Sequence, residues 1–150
     1  MRTKQTILNE LDCFLLAKSV NEGVARSLLG AFLAQIDPTV EDLSDLKCAV
    51  SEAVTNAVVH GYRGLNRDGA NCRVRLTVSI LPERVVRVCI RDKGCGIEDV
   101  ERARTPLYTT DPAGERSGMG FSVMEAFTDR ISVRSKPGRG TKVTLTKKMK

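Results

Sequence analysis

In the apolar stretch SEAVTNAVVHGY a carboxylate, Glu52, and a carboxamide, Asn56, stand four residues apart. At 100° per residue that spacing sets two helical side chains about 40° apart, on one edge of the same face. A carboxamide oxygen suits Mg2+, which takes oxygen ligands at about 2.1 Å and keeps several waters, so one protein oxygen plus the phosphates of a nucleotide can complete a site. A carboxylate one turn earlier is placed to accept a proton from an attacking hydroxyl or water beside a terminal phosphate. Two ordinary polar residues at a helix border would look the same, so the choice depends on what else the chain carries.

Two glycine-bearing stretches bear on that choice. RDKGCGIED places Asp92 where an apolar strand ends, followed by Gly94 and Gly96. It is either an Asp-initiated turn with left-handed glycines, or a place where a carboxylate accepts a hydrogen bond from an exocyclic amine while bare backbone admits a planar base. Further on, ERSGMGF sets Gly118 and Gly120 at the mouth of a late helix. There the unpaired N–H groups and partial positive charge suit a phosphate, and glycine removes the obstruction. Arg116, just before, is a surface arginine or a bidentate donor to a terminal phosphate. Three nucleotide-compatible elements in one short chain weigh toward a site at Glu52 and Asn56.

The elements that must position these groups follow from periodicity. Leu11, Cys13 and Leu15 alternate as in a short strand. Ser19 and Glu22 have capping-box spacing, and Val24 to Ile36 repeat at helical period up to Asp37-Pro38. A second helix is expected from Thr39, with Glu41 and Asp42 at its positive end, a stripe from Leu46 to Val58, and Gly61 as its stop. RVRLTVSI and RVVRVCIRD read as antiparallel strands joined at LPE, Ile97 to Arg104 as a short helix, GMGFSVMEAF as a longer one, and ISVRS-KPGRG-TKVTLTKK as a final hairpin. These elements predict a two-layer α/β sandwich, with helices on one face of a mixed, mostly antiparallel sheet.

Length and composition narrow the classes. A chain of 150 residues with 41% hydrophobic content is expected to form one domain, residues 1–150. No signal-like start and no apolar run near the roughly 20 residues of a bilayer span are present, which points to the cytoplasm and no membrane. Five cysteines without a CxxC pair argue against a disulfide framework or structural zinc and suggest reduced, mostly buried thiols. The net charge of +6 is concentrated in a tail from Arg134 to Lys150 that holds no acid. Aromatics are only 4% and none interleave with those charges, so the tail reads as a solvated face, or one meeting an acidic protein, before a nucleic-acid surface.

Glu52-x-x-x-Asn56, Asp92-x-Gly94-x-Gly96, Gly118-x-Gly120 and Gly140-Thr141 resemble, in order, the four nucleotide boxes of the GHKL ATPases, the superfamily of the Bergerat ATP-binding fold. Within it, SEAVTNAVVHGY, RDKGCGIED and TPLYTTDPAGERSGMGF are similar to the anti-sigma F factors of spore-forming bacteria, small serine kinases. The resemblance implies a homodimer that binds ATP or ADP with Mg2+, holds a sporulation sigma factor inactive, and phosphorylates a serine of an anti-anti-sigma factor. By that likeness Glu52 is the catalytic base, Asn56 the magnesium ligand, Asp92 the adenine-reading acid, and Arg116 the lid arginine that reaches the terminal phosphate. Gly94, Gly96, Ile97, Thr109, Thr110, Ser117, Gly118, Met119, Gly120 and Thr141 match nucleotide-binding positions, and Arg26 matches a surface arginine used against protein partners. Two other functions stay open. One is a nucleotide-dependent sigma-binding module without turnover. The other is the catalytic domain of a histidine kinase, for which the sole histidine, His60, is poorly placed as an acceptor because it ends the magnesium-ligand helix.

Overall fold

The computed structural model describes residues 5–62, 72–104 and 120–150. Its sheet has five strands, β1 (Asn9–Leu16), β2 (Arg73–Leu81), β3 (Val85–Asp92), β4 (Arg130–Lys136) and β5 (Gly140–Lys148), in the order β1-β2-β3-β5-β4. Each pairing is antiparallel. The expectation of a mixed sheet is therefore corrected. β4 does run parallel to β3, but its hairpin partner β5 lies between them, so the crossover from β3 to β4 never forms a parallel ladder.

Alternation decides which face is covered. Val74, Leu76, Val78 and Ile80 of β2, Val86, Val88 and Ile90 of β3, and Val143 and Leu145 of β5 are buried. Over them lie α1 (Val20–Leu33), α2 (Val40–Asn56) and α4 (Gly120–Phe127), while α3 (Val100–Ala103) is a single turn. Leu29, Leu33, Leu46, Val50, Val54 and Met124 close the core from the helical side. Among the described residues the result is a two-layer sandwich with helices on one face only.

The helix ends refine the sequence expectations. Ser19 does not cap α1 through its side chain: it already has helical dihedrals (φ −57°, ψ −33°), from which its hydroxyl cannot reach back. Glu22 pairs with Arg26 instead of closing a capping box. Thr39 does cap α2, its hydroxyl accepting from the Asp42 N–H at 3.1 Å. At its far end α2 widens into one π turn, Ala57–Gly61. Of the five thiols, all free, only Cys72 is fully buried and Cys48 is exposed, so the expectation of mostly buried cysteines fails. Among the described residues no helix is long and apolar enough to cross a membrane.

The basic tail divides between two places. On the uncovered sheet face Arg75, Arg91, Lys142 and Arg134 stand directly opposite one another across β2, β3, β5 and β4. Phe14, 57% exposed, ends that row, with the guanidinium groups of Arg73 and Arg75 at 5.9 and 5.5 Å from its ring centre. Asp12 is bound by Arg75 and Thr77, which hold its carboxyl down at about 2.

The last residues turn back to the start of α2. Asp42, 2% exposed, accepts the backbone N–H of Lys150 at 2.7 Å and lies 3.9 Å from the Lys147 ammonium. The Met149 N–H donates to the Arg84 carbonyl at 2.9 Å, and the Arg84 guanidinium bonds the carbonyls of Ile36 (2.8 Å) and Lys150 (3.1 Å). The chain end, the β2–β3 turn and the α2 N-terminus are thus clasped together. The Lys150 N–H holds the Asp42 carboxyl below its ordinary value, against the opposing effect of burial. A depressed folded pKa means stability present above the unfolded value near 3.8 and lost as the pH falls through the folded one. Asp42→Ala is expected to cost about 1–3 kcal/mol in urea denaturation at pH 7, the loss of a charged hydrogen-bond partner. The gap to wild type should close as the pH is taken well below about 4.

Candidate nucleotide-binding site

Glu52 and Asn56 occupy the last turns of α2, both half-buried. Gly120, the first residue of α4, stands against both: a β-carbon there would lie 3.2 Å from Asn56 Nδ2 and 3.3 Å from Glu52 Oε2. The absence of a side chain lets the α4 N-terminus approach the acid–amide pair, so two of the three sequence elements meet.

The third joins through the π turn. By inserting a residue, that turn brings Gly61 against the end of β3, where a β-carbon would sit 2.9 Å from the Asp92 carboxyl carbon. The Gly61 carbonyl accepts the Cys95 N–H at 2.6 Å. Tyr62, buried at 2% exposure, accepts the Lys93 N–H at 2.9 Å and donates to the Arg73 carbonyl, fixing the strand end from both sides.

Asp92 itself is 6% exposed. Its carboxylate accepts the N–H groups of Gly94, at 2.9 Å, and Thr141. Loss of solvent nevertheless outweighs these bonds and pushes its pKa up to about 6. A buried carboxyl with that poise, held among the described residues by backbone donors alone, has acceptor capacity left for a ligand N–H.

The β4–β5 turn clasps the loop after Asp92 from the other side. Gly96 has φ +74° and lies so near the Lys136 carbonyl that a β-carbon would come within 2.1 Å of it. The Gly138 N–H donates to the Cys95 carbonyl at 2.7 Å. The Ile97 N–H donates to Ser135 Oγ at 2.7 Å, and that hydroxyl lies 2.9 Å from the Gly140 carbonyl and 2.8 Å from Thr141 Oγ1. Asp92, Thr141 and Ser135 form one cross-strand row on the helix-covered face of β3, β5 and β4.

The structure therefore brings together Glu52, Asn56 and Gly120, and separately Asp92, Gly94, Gly96, Ile97 and Thr141, with Gly61 joining the groups. Arg26 stands apart on the α1–α2 seam, where it bonds Glu22 and, at 3.1 Å, Ser51. Thr109, Thr110, Arg116, Ser117, Gly118 and Met119 lie outside the described residues. Sequence reasoning missed Tyr62 and Ser135, whose contacts with Lys93 and Ile97 span 31 and 38 residues of chain, so no local pattern marks those contacts. The register of the last hairpin, once its turn is placed, would have set Ser135 opposite Thr141.

Among the described residues no three His, Cys, Asp or Glu side chains gather as a metal-binding group. One amide oxygen and one carboxylate do not make a protein-only cation cage. They fit Mg2+ held mainly by phosphates and water.

Residues 16–147 match the family described as Histidine kinase-like ATPase domain. The anti-sigma F factor of Clostridium perfringens (strain 13 / Type A) is 48% identical over 141 residues, covering 94% of this chain and 97% of that protein. That of Bacillus subtilis (strain 168) is 48% identical over 140 residues, 93% of this chain and 92% of its own. That of Halalkalibacterium halodurans is 51% identical over 139 residues, again 93% and 92%. Among solved structures, the RsbU and RsbW domains of Rv1364c from Mycobacterium tuberculosis superpose with a TM-score of 0.68 at 23% identity, over 94% of this chain and 32% of that one. The catalytic domain of the histidine kinase ThkA does so with a TM-score of 0.56 at 16% identity, over 92% and 95%. At such identities the likeness is one of fold, the GHKL sandwich. With 48–51% of aligned residues shared with curated relatives over more than nine-tenths of each chain, this protein belongs to the anti-sigma F factor family of the histidine kinase-like ATPases.

Proposed function

We propose that this protein holds a sporulation-type RNA polymerase sigma factor inactive, and transfers the γ-phosphoryl group of ATP to a serine of an anti-anti-sigma factor, inactivating that partner. The observation that carries this reading is the meeting of Glu52 and Asn56 with the α4 N-terminus at Gly120, while Gly61 at the end of α2 abuts the buried Asp92 carboxyl. Asp92 takes the exocyclic amine of adenine, while Gly94 and Gly96 leave room for the base and Thr141 flanks it. The N–H groups at the start of α4 face the phosphates. Asn56 supplies one oxygen to Mg2+, which when bound neutralises phosphate charge. Glu52 accepts the proton of the attacking serine hydroxyl as its oxygen bonds the γ-phosphorus and the bond to the β-phosphate oxygen breaks, leaving ADP.

By the family likeness, nucleotide contacts are also proposed for Thr109, Thr110, Arg116, Ser117, Gly118 and Met119, with Arg116 acting on the terminal phosphate. Arg26, half-exposed, offers a donor to protein partners. The working unit is a homodimer of a single 1–150 kinase and anti-sigma domain in the cytoplasm, with no direct contact to nucleic acid.

The decisive experiment mixes protein, Mg-ATP and a candidate anti-anti-sigma protein and looks for a phosphoserine mass shift. Its absence with full ATP binding would support the sigma-binding module without turnover. Glu52→Gln is expected to lower transfer by about 10²- to 10⁴-fold while leaving nucleotide and sigma affinity within a few-fold of wild type. Unchanged transfer removes Glu52 from the chemistry.

The raised pKa of Asp92 sets a pH dependence. Above about 6 the carboxylate is ionised and accepts the amine; below it the free protein takes up a proton that the nucleotide must displace. The Kd for ADP should be flat between pH 7 and 8 and rise by up to about tenfold per unit below about 6. Stability of the free protein moves the other way, since the cost of burying the charge is present above about 6 and relieved as the pH falls. Asp92→Asn should flatten the affinity profile and weaken binding at pH 7, both measurable by calorimetry.

A further inference from the structure

We propose that Ser135, which lies behind the pocket rather than in it, fixes the hydrogen-bond polarity with which the pocket selects a nucleobase. The proposal rests on the nucleotide-binding reading above and names a positioning residue for it.

A serine hydroxyl has one proton and two lone pairs. Three groups stand within bonding distance of Ser135 Oγ: the Ile97 N–H at 2.7 Å, the Gly140 carbonyl at 2.9 Å and the Thr141 hydroxyl at 2.8 Å. The Ile97 N–H can only donate, and the Gly140 carbonyl can only accept. One arrangement uses every group: Ser135 accepts from Ile97, donates to Gly140, and takes the Thr141 proton on its second lone pair. In the reverse arrangement Ser135 donates to Thr141, the Gly140 carbonyl loses this donor, and the Thr141 proton has no acceptor within the cluster. The fully paired arrangement is the favoured one.

The consequence appears at Thr141. Having given its proton to Ser135, Thr141 Oγ1 offers only lone pairs to the cleft. It does so directly opposite Asp92, whose carboxylate is also an acceptor. Two adjacent acceptors welcome an edge that carries an amino group and oppose one that carries a carbonyl. Adenine and guanine differ in this way at position 6 of the purine, and rejection by unpaired acceptors is the efficient form of discrimination. Ser135 thus contributes to choosing a 6-amino over a 6-oxo purine without touching it.

The test is calorimetry of the full chain with Mg-ADP and Mg-GDP, thermal melts confirming that each variant is folded. Ser135→Ala frees the Thr141 hydroxyl to rotate and donate, and is expected to shrink the GDP-to-ADP ratio of Kd values by about tenfold. Ser135→Thr, which keeps the hydroxyl, should restore the ratio. Thr141→Val should shrink it as well, and adding Ser135→Ala to that variant should change it no further, because both act through one oxygen. A ratio indifferent to Ser135→Ala, or changes that simply add in the double variant, overturns the proposal while leaving the nucleotide site standing. If Ser135→Ala does not fold, Thr141→Val decides, an unchanged ratio being the overturning result. A wild-type chain that binds no ADP overturns the nucleotide reading and this proposal with it.

Discussion

Backbone against backbone at Gly61 and Gly94 is the contact on which the rest of the site depends. A β-carbon at Gly94 would stand 1.7 Å from the Gly61 carbonyl oxygen, so any other residue there would force the end of α2 away from the end of β3. Asn56 and Glu52 belong to α2 and Asp92 to β3, and this approach sets the ends of the two elements side by side. The Cys95 N–H bond to the Gly61 carbonyl holds it, and the bonds of Tyr62 to Lys93 and Arg73 brace it. The glycines of this region therefore have separate tasks. Gly94 and Gly61 permit backbone contact, Gly96 and Gly140 accept positive φ under the last hairpin, and Gly120 lets a helix start against two side chains.

Much of this was legible in the sequence because it depends on local pattern. The α2 stripe, the Thr39 cap, the hairpins and the order of helices and strands follow from periods of 3.6 and 2 and from turn chemistry. What escaped required knowing which elements meet. The Ser19–Glu22 spacing promised a capping box, but Arg26 one turn on offered Glu22 a charged partner and Ser19 stayed helical. The order of helices and strands suggested a mixed, mostly antiparallel sheet, and nothing local says that β5 will insert between β3 and β4. Ser135 and Tyr62 are ordinary residues until their distant partners are in place.

The charge of the tail divides in a way composition alone does not show. Lys147, 11% exposed, lies 3.9 Å from Asp42 and Asp45 and helps close the chain end onto α2, whereas Lys150 meets Glu41 at 3.8 Å on the solvated surface, as the sequence reading expects. Lys142 and Arg134 are different, because the sheet register lines them up with Arg75 and Arg91 on the uncovered face. Within β5 the alternation decides: Lys147 falls on the helix-covered face with Val143 and Leu145, and Lys142 on the opposite one.

Two aspartates show how the fold separates support from function. Asp42 and Asp92 are 2% and 6% exposed, so burial alone treats them alike. Asp42 has a backbone N–H, a threonine and two nearby lysines, and its carboxyl is held below the ordinary value. Asp92 has backbone donors but, among the described residues, no cation that lowers it, and burial raises its carboxyl to about 6. The difference is one of unfinished pairing. The first carboxylate is satisfied by the protein and belongs to the clasp at the N-terminus of α2, whereas the second has acceptor capacity that the described residues do not fill. Leaving a buried acid in that state costs stability in the free protein, and a nucleotide amine is the kind of donor that would recover it. On the proposed nucleotide-binding reading, the acid that costs the free protein stability is the one that would favour the bound state.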